Sequence, residues 1–96
     1  MPGLHPTHGA RIVLKLAPTR EGDSDASARY DVEIYEPDET LTTGEAILTP
    51  GKADVTMERP PAAWIATFTQ RLLLSLDGKH RAAGTWPRKV TRWRAS

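Results

Sequence analysis

The chain has 96 residues, a formal net charge of +1 at pH 7 and no cysteine. That length suits one domain with one modest core, and the missing thiols exclude disulfides, zinc–thiolate centres, iron–sulfur clusters and thiol catalysis. A chain this short buries only about 60–65% of its unfolded surface, so a binding module is expected ahead of an enzyme with a deep cavity.

Residues 1–9, with two prolines and two glycines and no periodicity, read as a loose arm ahead of a single domain over residues 10–96. The opening has neither a basic leader nor an apolar run, and no apolar stretch is long enough to cross a bilayer, which predicts a cytoplasmic protein with no membrane partner. Ile12, Leu14 and Leu16 then alternate with Arg11, Val13 and Lys15, the period of a strand with one buried face. Pro18 closes it, and the polar stretch Thr19 to Ala28 is expected to be a mobile loop.

Tyr30, Val32 and Ile34 alternate with Asp31, Glu33 and Tyr35 in a second strand. After a turn at Pro37-Asp38-Glu39, residues Thr40 to Thr49 form a third strand in which Gly44 marks a bulge or bend. Pro50-Gly51 signals a type II turn, because glycine admits the positive φ of its third position. Val55 and Met57 alternate with Asp54, Thr56 and Glu58 in a short fourth strand.

Pro60-Pro61 opens a helix that Asp77-Gly78 closes. At 100° per residue, Ala62, Ile65, Phe68, Leu72 and Leu76 share one arc, with Ala66 and Leu73 at its edge and Thr67, Gln70 and Arg71 opposite. Leu74 points away from that arc and Trp64 lies on its flank, so both need a second cover or stay exposed. Residues 85–94 fit an extended edge segment better than a helix, although Trp86, Val90 and Trp93 would also share a helical face.

These elements predict an α+β fold of two layers: an antiparallel four-stranded meander, five-stranded if the C-terminal segment joins it, packed against a single helix. The expected core is Ile12, Leu14, Leu16, Tyr30, Val32, Ile34, Ile47, Val55, Met57, Ile65, Phe68, Leu72 and Leu76. Charge is divided along the chain. Residues 21–58 carry a net of −9 and residues 59–96 a net of +7, and folding is expected to let the two neutralise each other.

No catalytic residue, cofactor or metal site is assigned. His5, His8 and His80 offer imidazoles, but two of them sit on the arm with nothing to fix their geometry. Asp31 and Glu33 are expected to pair with Arg11 and Lys15 across strands. Asp54 and Glu58 form a second acidic pair, and Ser75, Asp77 and His80 crowd into a helix end without triad geometry. The candidate interaction surface comprises Trp64, Leu74, Trp86, Arg88, Lys89, Arg92, Trp93 and Arg94, with the tryptophans and Leu74 as anchors. A protein-interaction module, acting on an unidentified protein partner or by self-association, is the leading expectation. A nucleic-acid-binding domain using the basic aromatic C-terminal segment is the alternative, and an enzyme with an unrecognised acidic site comes third.

Overall fold

The computed structural model describes residues 8–18, 27–37 and 40–95. Residues 1–7 of the expected arm, His5 among them, residues 19–26 of the loop expected over Thr19 to Ala28, and the turn residues Asp38 and Glu39 lie outside that set, and Ala28 itself opens the second strand. The elements run β1 (Ala10–Leu16), β2 (Ala28–Tyr35), β3 (Leu41–Thr49), β4 (Lys52–Met57), α1 (Ala63–Ala83) and β5 (Lys89–Arg94). They form one sheet in the order β4-β3-β2-β1-β5, antiparallel throughout, with α1 on one face. This is the two-layer α+β fold expected, with the C-terminal segment as the fifth strand.

Registers follow the alternation of apolar residues. Ile12 faces Ile34, Leu14 faces Val32 and Leu16 faces Tyr30, so a slip by one residue would turn a whole row to water. Gly51, with φ of 74°, completes the Pro50-Gly51 turn between β3 and β4. Gly44 makes no bulge: it pairs in register with Val32 on one side and Met57 on the other. Its lack of a side chain serves close approach instead, since a Cβ there would meet Met57 Sδ and the Thr56 carbonyl and come within 2.9 Å of Met57 Cα.

Three sequence expectations are corrected. Ile47 is 38% exposed, on the open face of the sheet, while Ala46 and Leu48 are in the core. Leu48 pairs with Ala53 and Ala46 with Val55, so the even positions of β3 point toward the helix. The helix does not end at Asp77-Gly78 but continues to Ala83, where Gly84 at φ 79° donates its N–H to the His80 carbonyl at 2.7 Å.

The third correction is the helix phase. Ile65, Thr69, Leu73, Leu76 and Asp77 are buried, whereas Phe68 and Leu72 are half-buried at the margin. Relative to the apolar arc, the helix is turned by about 45° at 100° per residue. Two polar contacts account for the turn. Asp77 Oδ2 accepts the Gly51 N–H at 3.0 Å, and Gln70 Nε2, expected in solvent, donates to the Ala53 carbonyl at 2.9 Å. Of the two residues expected either to find a second cover or to stay exposed, Leu74 is exposed and Trp64 is half-buried against the core.

Adjacent leucines test this phase. Leu73→Ala is expected to lower unfolding stability by about 2–5 kcal/mol, and Leu74→Ala by less than about 1 kcal/mol, in denaturant titrations; equal losses would contradict the rotation. The helix end gives a second test with opposite signs. A Cβ at Gly78 meets nothing within 4 Å, so Gly78→Ala should stabilise by about 0.5–1 kcal/mol. Gly84→Ala should destabilise, because it forces a Cβ into the left-handed region.

Candidate interaction surface

β5 forms because Val90 and its β-branched and aromatic neighbours fit a pleated surface, and because both of its ends are held. At the start, Tyr30 donates its hydroxyl to the Pro87 carbonyl at 2.6 Å, and the Leu16 N–H bonds the Arg88 carbonyl at 2.8 Å. Trp86 stacks on the His80 ring at 4.0 Å and meets Tyr30 edge-on at 6.5 Å. At the far end, Trp93 Nε1 donates to the His8 carbonyl at 2.8 Å, and the two rings meet edge to face at 5.0 Å. Gly9, at φ 73°, lets the chain pass there, since a Cβ would run into the Arg94 carbonyl oxygen.

Between these clamps the strand pairs with β1 alone, its other edge left open among the described residues. Val90 is its buried residue, opposite Leu14. Trp93, one of the expected anchors, lies opposite Arg11 on the open face of the sheet and is 46% exposed. Its indole is fixed by His8, a residue that sequence reasoning placed in the loose arm, where the flanking Gly9 was the only available sign of a defined turn.

Arg88, Lys89, Arg92 and Arg94 are all exposed. Arg92 bonds the neighbouring Thr91 carbonyl at 2.8 Å, and the Arg94 guanidinium lies 5.5 Å from the centre of the Phe68 ring. Among the described residues none of the four forms an ion pair with a carboxylate. The acids find other cations: Lys15–Glu33 at 3.2 Å, Arg29–Glu45 at 3.4 Å, Lys52–Asp54 at 3.8 Å and Arg81–Asp77 at 3.5 Å. The Lys15–Glu33 pair realises part of the expected cross-strand pairing. The expected neutralisation of the basic C-terminal segment is not seen among the described residues.

Of the eight candidates, Arg88, Lys89, Arg92, Trp93 and Arg94 therefore share one edge. Trp64 and Trp86 are half-buried packing residues, and Leu74 stands alone on the helix. The open face also carries a shallow concavity of about 890 Å³ between β2, β3 and β4, rimmed by Asp31, Glu33, Glu45, Asp54 and Glu58 together with Lys15 and Arg29. Among the described residues no group of three His, Asp or Glu could hold a metal ion. His8 and His80 lie near opposite ends of β1, and Ser75 is bonded to the Leu72 carbonyl at 2.6 Å. Among the described residues, no helix is long and apolar enough to cross a membrane.

No protein-family model, curated protein or solved structure matches the chain.

Burial raises the Tyr30 hydroxyl pKa from 10.0 to about 12. Tyr35 is raised too, first by burial and then by the neighbouring Glu33 carboxylate. A raised folded-state pKa means stability that is whole below pH 10 and lost as pH climbs toward 12. For Tyr30 the rise to about 12 corresponds to about 2–3 kcal/mol. Denaturant titrations should show stability falling over that window, and Tyr30→Phe, which cannot ionise, should flatten the fall while losing about 1 kcal/mol at neutral pH with the Pro87 bond. An unchanged slope in the variant would contradict the assignment.

Proposed function

We propose that this domain is a non-enzymatic interaction module that engages a polyanion, single-stranded nucleic acid in particular, along the β5 edge. The observation that carries the reading is the row of four exposed cations, free of carboxylate partners among the described residues, along the edge strand that also carries the fixed and half-exposed Trp93, with Lys89 on the Trp93 face and Arg92 and Arg94 on the helix face. Phosphates attract such cations, and an exposed indole offers a stacking face to any base. Trp93 gives up little rotamer freedom on binding because His8 already holds it. The absence of cysteine suits a cytoplasmic setting.

The sequence favoured protein contacts through Trp64, Leu74, Trp86 and Trp93. Trp64 and Trp86 are engaged inside the fold, which leaves that reading with two separated anchors. One observation still favours it: among the described residues β5 is an open edge, to which an extended acidic segment of another protein could add by backbone hydrogen bonds. The enzyme reading has less support, since Glu33, Glu45 and Asp54 of the open face are held by Lys15, Arg29 and Lys52.

Fluorescence anisotropy with labelled single strands across a salt series tests the proposal. Four phosphate contacts at about 0.7 counterions each imply roughly a 50-fold loss of affinity between 50 and 200 mM salt. Trp93→Ala should weaken binding about 5- to 150-fold, while Leu74→Ala leaves it unchanged. No effect of Trp93→Ala, or equal affinity for polyglutamate, would replace nucleic acid with an acidic protein partner; absence of binding at 50 mM salt would remove the proposal.

A further inference from the structure

The helix face of β3 is lined by Thr42, Gly44, Ala46 and Leu48, so opposite the first half of α1 the sheet offers little side-chain volume. Met57 reaches over the space left by Gly44, and Pro60-Pro61 carries the chain up to the helix. What remains is a cleft of about 380 Å³ beside β4, walled by Ile34, Val55, Met57, Pro61, Ala66 and Thr69, with Pro60 and Gln70 at its margin. That volume is at the lower end of small-molecule sites, which are mostly apolar with a few placed polar groups.

A second, independent observation points to a ligand. Thr69 is only 2% exposed, and its Oγ1 is buried without any hydrogen-bond partner. A buried hydroxyl without a partner costs about 1–3 kcal/mol, and native structures leave few of them. The usual remedy for a helical threonine, a bond to the carbonyl one turn back, is not taken. Beside it, Gln70 uses its Nε2 on Ala53 and has no bond to its Oε1 among the described residues. Thr69 lines the cleft, so a molecule seated there is placed to supply the missing partner.

We propose that this cleft binds a small, mostly apolar molecule carrying one hydrogen-bonding group, which satisfies Thr69. The flexible Met57 side chain gives the wall the adaptability to close around such a molecule. The site is on the β4 side of the sheet and shares no residue with the β5 edge, so it stands independently of the polyanion reading.

Benzyl alcohol and toluene, matched in ring and differing by a hydroxyl, serve as probes in amide NMR titrations of the full chain. Both should give saturable shifts centred on residues 55–57 and 66–70, with benzyl alcohol at least fivefold tighter. Thr69→Val should abolish that preference while raising the ligand-free melting midpoint by about 4 °C or more, the expected return from removing a buried unpaired hydroxyl. Ala66→Phe, at an exposed wall position, should fill the cleft and weaken both probes at least tenfold. Absence of saturable shifts there overturns the site. A preference that survives Thr69→Val, or none in the parent, overturns the role of the hydroxyl.

Discussion

Asp77 is the buried carboxylate of the helix, and its Oδ2 accepts the Gly51 N–H at 3.0 Å while Arg81 approaches it at 3.5 Å. A backbone donor at the β3–β4 turn is thereby tied to one azimuth of α1, and Gln70 ties a second point, the Ala53 carbonyl, on the same side. With two points fixed the helix cannot rotate to centre its most apolar arc. Breaking the first would leave a buried group unpaired at about 1–3 kcal/mol, comparable with burying one more large side chain. Phe68 and Leu72 are accordingly displaced toward the β1 and β5 side, where Arg94 lies against the Phe68 ring.

Strand order governs the electrostatics in the same way. β5 joins β1, the end of the sheet away from β3 and β4. With strands about 4.8 Å apart, β5 is roughly 10 Å from β2 and nearly 20 Å from β4, beyond direct contact and at or past a Debye length in 0.1 M salt. Among the described strands only β1 adjoins it, and β1 brings further cations: Lys15 is opposite Lys89, and Arg11 is opposite Trp93. Charges on an edge strand also guard against sheet-to-sheet pairing. Guarding alone, however, gives no reason for an indole fixed at both its N–H and its ring on the same edge.

Strands were legible because their period is two and each carries a large apolar residue at alternate positions; Ile12, Leu14, Val32 and Ile34 fall where the alternation puts them. β3 was harder, since Ala46, Ile47 and Leu48 are consecutive apolar residues and the largest β-branched one faces outward. Its register comes from pairing with β4, which no local pattern in β3 encodes. The helix phase failed for a related reason: Gln70 and Asp77 count as polar in any apolar arc, yet their partners on β4 and its turn draw them inward, and Thr69 turns in beside them. Asp77-Gly78 resembled a helix end because both residues suit one, but Gly78 is tolerated inside the helix and Gly84 supplies the left-handed cap. Of the site, the basic aromatic run was visible as composition. The hold on Trp93 was not, because it depends on a backbone carbonyl at His8, 85 residues away.

The cleft and the cationic edge follow from one asymmetry, a single helix laid over a five-stranded sheet. The helix backbone runs closest to β3 and β4, so β5 is left to be covered by half-buried side chains, and its Arg92 and Arg94 project past the layer into solvent. On the β4 side the helix is near enough to enclose space, and Ala66 on its wall is too small to fill that space. The neighbouring β3 position, Gly44, has no room for a side chain that could reach in, since Met57 and the Thr56 carbonyl already occupy it. The void is therefore built into the pairing of β3 with β4, and filling it from the helix side, at Ala66, is the change the backbone permits.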